Sequence, residues 1–214
     1  MIKNLIFDLG GVVFTLDHDE AVRRFARLGL KNAAEVLDPY TQGGIFGDLE
    51  SGKISAEEFV SEFGKLVGRK VSYEECRHAW LGYCKNVPAH NLETLLKLKQ
   101  MGYKIVLLSN NNPFLMSWCE SDGFDGEGHS LNHYFDALYK SYEVKIMKPD
   151  ESFFRHVLMK EQMLPEETLF IDDGPRNCAT ASQLGIRTIC PVNGEDWSAG
   201  VYAELAKFGL QAAE

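Results

Sequence analysis

Four short stretches of this chain put oxygen and nitrogen ligands where chemistry could be done: Asp8-Leu9-Gly10-Gly11, Ser109-Asn110, Lys148-Pro149 and Asp172-Asp173. Three of them end apolar runs, and the fourth precedes a helix that leads into the last run. If the runs are strands of one parallel sheet, their carboxyl ends meet at a single crevice, although Asp8 and Asp173 are more than 160 positions apart. Three carboxylates gathered there repel, by about 4 kcal/mol for a pair roughly 4 Å apart at an effective dielectric of about 20. A divalent cation together with Lys148 balances the three charges. Mg²⁺ suits a site built of oxygen and keeps waters that a phosphate can displace. The glycine pair lets backbone N–H groups approach an anion closely. Taken singly, each piece has a plainer reading. Asp8 caps a turn, Ser109 makes a strand-end turn, and Lys148 is a solvated helix-start lysine with Lys145 as its rival for any site. Asp172-Asp173 then supplies an N-cap for a helix starting at Pro175, and Asn177 supports that loop.

Positioning these groups falls to an α/β pattern. Leu5-Ile6-Phe7 reads as a strand buried on both faces, and residues 103–108, 137–140, 168–171 and 186–190 read as further strands. Helices are expected over 89–100, closed by Gly102, from 114 to 119, and from Pro149 onward through Phe153, Phe154, Val157 and Leu158. Between the first two strands the pattern is helical for about 70 residues, more than a crossover needs. Asp17 or Asp19 caps a stripe of Ala21, Val22, Phe25, Ala26 and Leu28, and capping boxes open helices at Ser55 and Ser72. Residues 42–52 read as a glycine-rich turn region. The expectation is a small helical cap of residues 16–88 inserted into a core of 1–15 and 89–214. Residues 120–133 carry no periodicity. Asp122, Asp125 and Glu127 miss the pattern of a calcium loop, so a solvated loop is expected there.

The 214 residues, 45% of them hydrophobic, can bury a core without disulfides or structural metal. Against 31 Asp and Glu the chain has 22 Lys and Arg, and a net charge of -9 makes a phosphate backbone a poor partner. Five scattered cysteines with no Cys-x-x-Cys fit a reducing compartment. No apolar stretch reaches the roughly 18 residues of a membrane span, and Asp8 interrupts any leader-like run. A soluble, cytoplasmic chain is expected, a monomer with a dimer left open.

Together, Asp8-Leu9-Gly10-Gly11-Val12, Ser109-Asn110, Lys148-Pro149 and Asp172-Asp173 resemble, in order, spacing and placement, the four motifs of the haloacid dehalogenase (HAD) superfamily, across nearly the whole chain. The resemblance implies a Rossmann-like parallel sheet flanked by helices, with a C1 cap after the first strand. The first and last motifs look most like the branch containing bacterial α-D-glucose-1-phosphate phosphatases. What this implies is a Mg²⁺-dependent phosphatase acting on a small phosphorylated metabolite, a sugar phosphate first. Asp8 would attack phosphorus, and water would hydrolyse the aspartyl-phosphate. Leu9, Gly10, Ser109 and Asn110 would hold the phosphoryl oxygens, with Lys148 neutralising them and orienting Asp8. Asp8, the Gly10 carbonyl and Asp173 would bind Mg²⁺, with Asp172 bound directly or through water.

Position 10 departs from the pattern. Many HAD phosphatases carry there a second aspartate that protonates the leaving oxygen, a service worth about 10² to 10⁴ in rate. With Gly10, three outcomes stay open: an easily expelled leaving group, a proton supplied by the cap or the substrate, or a catalytically weak phosphate-binding or regulatory protein. A 2-haloacid dehalogenase, which needs no metal, is the enzymatic alternative. His18 could stand in for the acid or simply start a helix, and Asp48, Glu50 and Trp80 could touch substrate, with Leu49 and Trp80 equally suited to a cap core.

Overall fold

The computed structural model describes residues 1–37 and 43–207. Gln42, at the start of the expected turn region, and residues 208–214 of the expected core lie outside them. In chain order the elements are β1 (Asn4–Phe7), β2 (Thr15–Leu16), α1 (His18–Arg27), α2 (Ala33–Val36), α3 (Gly44–Glu50), α4 (Ala56–Val67), α5 (Tyr73–Trp80), β3 (Cys84–Asn86) and α6 (Ala89–Gln100). There follow β4 (Lys104–Ser109), α7 (Pro113–Cys119), β5 (Ala137–Lys140), α8 (Ser141–Val144), α9 (Glu151–Lys160), β6 (Thr168–Ile171), α10 (Pro175–Gln183), β7 (Arg187–Ile189) and α11 (Ser198–Ala206).

Alternation along the strands builds two cores, one on each face of the sheet. Leu5, Phe7, Ile105, Leu107, Leu169 and Ile171 pack with α6, α7 and α11, whereas Ile6, Val106, Leu108 and Phe170 pack with α9 and α10. Burial on both faces is what makes the strands read as unbroken apolar runs. The five strands are parallel, in the order β5-β4-β1-β6-β7. The chain leaves β1 for β4 on one side and returns to β6 on the other, so β1 and β6 flank the point where the winding reverses. Ligand crevices of open α/β sheets form there, outside the strands' carboxyl ends.

Helices α1 to α5 have a core of their own, an aromatic cluster of Phe25, Phe46, Phe59, Phe63 and Trp80, into which Phe114 reaches from α7. An antiparallel ribbon of β2 and β3 joins this helical unit to the sheet. Both capping boxes form, at Ser55 with Glu58 and at Ser72 with Glu75, and Asp17 rather than Asp19 caps α1. The glycine-rich turn expected over 42–52 is instead largely helix α3. Phe46, Leu49 and Glu50 lie on its buried side, and burial of that stripe overrides the glycine content. Pro149 does not open α9; Asp150 caps it, accepting from the Ser152 N–H. The unassigned 120–133 segment is organised by Asp125, which accepts from Tyr134 Oη and from His129 and Glu127 N–H groups. Its side chain is 2% exposed, with its oxygens taken up by these donors. No helix among the described residues is long and apolar enough to cross a membrane.

Candidate active site

Parallel pairing carries the sequence-singled residues to one end of the sheet. Phe7 registers with both Leu107 and Ile171, so Asp8 and Asp172 emerge side by side, with Ser109 ending the strand on the other flank. The Asp8 N–H donates to the Ile171 carbonyl at 2.8 Å.

Lys148 arrives from the loop between α8 and α9, and its backbone is fixed by the Asn110 side chain. Asn110 Oδ1 accepts from the Lys148 N–H, and Asn110 Nδ2 donates to the Lys148 carbonyl, each at 2.8 Å. The ammonium then lies 2.8 Å from Asp8 Oδ1 and 2.5 Å from Asp172 Oδ2, with the lysine side chain 1% exposed. Burial alone would lower the Lys148 pKa, but Asp172 and Asp8 outweigh it and hold the pKa above the ordinary lysine value. Lys145, the rival, is exposed.

The two aspartates after β6 are not equivalent. Asp172 is fully buried and its oxygens are occupied by Lys148 Nζ, the Gly174 N–H at 2.7 Å and Asn177 Nδ2 at 3.0 and 3.1 Å. It orients the lysine, and Asn177 orients it. Asp173 is only partly buried, and its carboxyl is pushed up to about 7 by burial and by the charges of Asp8 and Asp172. Burial likewise raises Asp8 to about 6, with Lys148 pulling against it. Neither aspartate is the N-cap of α10, a place taken by Gly174.

One ligating oxygen from each of Asp8, Asp172 and Asp173 falls within 4.8 Å of the others. Asp8 Oδ1 is buried with no hydrogen bond, its contact with Lys148 being an ion pair without hydrogen-bond alignment. Three clustered carboxylates against one lysine are the oxygen donor set and charge deficit that a hard divalent cation fits.

The glycine pair is explained by packing more than by anion approach. Gly11 has φ +79°, a Cβ there would lie 2.2 Å from Asp173 Oδ2, and its N–H is already given to the Phe14 carbonyl. At Gly10 a Cβ would meet Leu16 Cδ2 at 2.9 Å. Leu16 fills the space into which a residue-10 side chain would project. Trp197 Nε1 and Asn91 Nδ2 hold the Val12 carbonyl at 2.8 and 2.9 Å, so the loop after Asp8 is braced from outside.

Above this floor lies a cavity of about 940 Å³ whose walls include His18, Glu50, Trp80 and Tyr83 from the helical unit and Ser109, Asn112, Arg176 and Asn193 from the core. Of the cap candidates, Glu50, Trp80 and His18 reach it. Asp48 does not line it and pairs with Lys53 at 3.2 Å. His18 starts α1, and its Nε2 is tied to the Leu37 carbonyl, which makes it a wall residue rather than a free acid.

The family model for haloacid dehalogenase-like hydrolases matches residues 2–185. The chain belongs to that family. A D-ribitol-5-phosphate phosphatase of Bacteroides thetaiotaomicron is 46% identical over 197 residues, covering 92% of this chain and 95% of its own. Among solved structures, a HAD-like family hydrolase from Porphyromonas gingivalis superposes with a TM-score of 0.91 at 40% identity, covering 96% of this chain and 98% of that one. A HAD family enzyme of Bacteroides thetaiotaomicron, in complex with magnesium and inorganic phosphate, gives a TM-score of 0.84 at 36% identity, covering 93% and 98%.

In this HAD-like hydrolase several site residues escape sequence reasoning. The Asn110 side chain, which holds Lys148, and Ser141, which holds the Glu50 carbonyl and the Asn111 N–H, act through partners far away in sequence, which no local pattern encodes. Glu50 did leave a signal. Phe46, Leu49 and Glu50 follow i, i+3, i+4 spacing, which puts Glu50 on the apolar face of a helix.

Proposed function

We propose that the chain is a Mg²⁺-dependent phosphatase of a small phosphorylated metabolite, with Asp8 as its nucleophile. The observation that carries the reading is the buried Asp8–Lys148–Asp172 chain, with Asp173 beside it, on the floor of a cavity large enough for a sugar or polyol phosphate. Residues 16–88 act in this reading as a cap over a core of 1–15 and 89–214.

Asp8, the Gly10 carbonyl and Asp173 would hold Mg²⁺, with Asp172 behind them. The bound ion would offset carboxylate charge and polarise the phosphoryl group. Lys148 holds Asp8 ionised and aimed, and offers its charge to the phosphoryl oxygens. Ser109 and the backbone of Leu9, Gly10 and Asn110 complete the phosphate cradle. The carboxylate of Asp8 attacks phosphorus, the ester oxygen departs, and water then releases phosphate from Asp8. D-ribitol 5-phosphate, the substrate in the name of the 46% identical relative, and α-D-glucose 1-phosphate are the first substrates to try. The 2-haloacid dehalogenase reading fares worse, because without a metal the paired Asp172-Asp173 would repel a carboxylate substrate. The enzyme is taken to work in the cytoplasm as a monomer without nucleic-acid or membrane partners; the net charge of -9 supports the exclusion of nucleic acid.

The test is phosphate release from these two esters and a metabolite panel, with Mg²⁺ and with chelator. Release is expected with Mg²⁺ alone, and Asp8→Asn should lower it by at least about 10³. No release from any ester would reject the reading, and chelator-resistant halide release would replace it.

A further inference from the structure

We propose that Glu50, carried by the helical unit, is the general acid and base that position 10 does not supply. The inference rests on the phosphatase reading and adds a residue to it.

Glu50 ends α3, is 8% exposed, and lines the same cavity as Asp8, Lys148 and Ser109. Its position is tied to the phosphate side of the site at two points. The backbone carbonyl accepts from Ser141 Oγ at 2.6 Å, while the same hydroxyl accepts from the Asn111 N–H at 3.0 Å. The carboxyl interacts with the side chain of Asn112, whose Oδ1 caps α7. The loop that follows Ser109 thus grips Glu50 by backbone and side chain. Position 10 itself offers no side chain, and the space beside it is taken by the tip of Leu16.

The surroundings keep the carboxyl protonated. Burial, with Asp8 adding its charge, raises it to about 8, and the carboxyl end of a helix also disfavours a negative charge. Asp8, Asp173 and Lys148 from the core and His18 from α1 face the same cavity, while α8, packed against α3, carries Tyr142 and Glu143. A protonated carboxyl near neutral pH is what the first step needs. As Asp8 bonds to phosphorus and the phosphorus–oxygen ester bond breaks, the Glu50 proton passes to the leaving oxygen and an alcohol departs. In the second step the Glu50 carboxylate takes a proton from water. That water's oxygen attacks phosphorus, the bond to Asp8 breaks, and inorganic phosphate leaves with Asp8 ionised and Glu50 protonated again.

Leaving-group dependence separates this role from a structural one. With Mg²⁺, wild type and Glu50→Gln are compared on D-ribitol 5-phosphate, an alkyl ester, and on p-nitrophenyl phosphate, whose leaving group needs no proton. The variant should lose about 10² to 10⁴ in kcat/KM on the alkyl ester. On the aryl ester it should keep the first step and give a burst of one nitrophenol per enzyme, followed by slow turnover. Equal losses on both esters without a burst, or no loss on either, would overturn the role of Glu50 while leaving the phosphatase reading intact. Failure of the wild type on both would strike that reading instead. Should Glu50→Gln fail to fold, the wild type across a series of alkyl and aryl phosphates decides. A shallow dependence of kcat/KM on leaving-group basicity supports an internal acid, and a steep one rules it out.

Discussion

Lys148 touches two carboxylates while almost fully buried, so its removal strands both of them. Lys148→Met should cost about 3–5 kcal/mol of stability in the metal-free protein, read by denaturant unfolding, because breaking a buried pair leaves uncompensated charge. A loss below about 1 kcal/mol would mean that the pair is not formed. Asp8, Ser109, Lys148 and the Asp172-Asp173 pair could be singled out from sequence because each sits where an apolar run or a proline marks the end of an element. The division of labour between the two aspartates could not be seen. It depends on Asn177, Gly174 and Lys148 filling the oxygens of Asp172 and leaving Asp173 available. Nor could the cause of the glycine pair, which is the closeness of Asp173 to Gly11 and of Leu16 to Gly10.

At the scale of elements, the contact that matters is α3 against the α8 end of the core. Ser141 is fully buried and joins the Glu50 carbonyl to Asn111 across that contact. Ser141→Ala leaves buried polar groups without a partner and should destabilise the protein by about 1–3 kcal/mol. It should also raise KM more than it lowers stability-corrected kcat, as measured by steady-state kinetics with a metabolite ester. An unchanged KM would show that the helical unit closes on the core without this hydroxyl. Helices α4 and α5 were legible from their capping boxes, which are local devices. α3 was not, because its glycines argue for a turn and only the burial of Phe46 and Leu49 in the aromatic cluster reverses that preference. The strands were legible, with ends shifted by a residue: β4 runs Lys104–Ser109, where 103–108 was expected, and β7 is shorter than 186–190.

The whole molecule inherits the charge imbalance of its site. Asp8, Asp173 and Glu50 hold protons more tightly when folded, at about 6, 7 and 8 against ordinary values of 3.8, 3.8 and 4.5. Between about pH 4 and 8 these three groups therefore bind more protons in the folded state than in the unfolded one, and their contribution to stability falls as pH rises. The Tm of chelator-treated protein should drop by at least about 5 °C from about pH 5.5 to about pH 8, and Mg²⁺ should recover more of it at the higher pH. A Tm that is flat or rising without metal would contradict the electrostatics drawn here. The parallel α/β fold with its HAD-like architecture was legible as a whole, because strand ends, hydrophobic runs and the long helical insertion all agree with one topology. The central claim, that Asp8 is the nucleophile, is tested most directly by quenching the enzyme with acid during turnover of p-nitrophenyl phosphate and Mg²⁺, then mapping the peptides by mass spectrometry. One phosphoryl group on the carboxylate of Asp8, labile to base and absent from Asp8→Asn, is the predicted result. A phosphoryl group on another residue, or none at all during turnover slowed by Glu50→Gln, would contradict it.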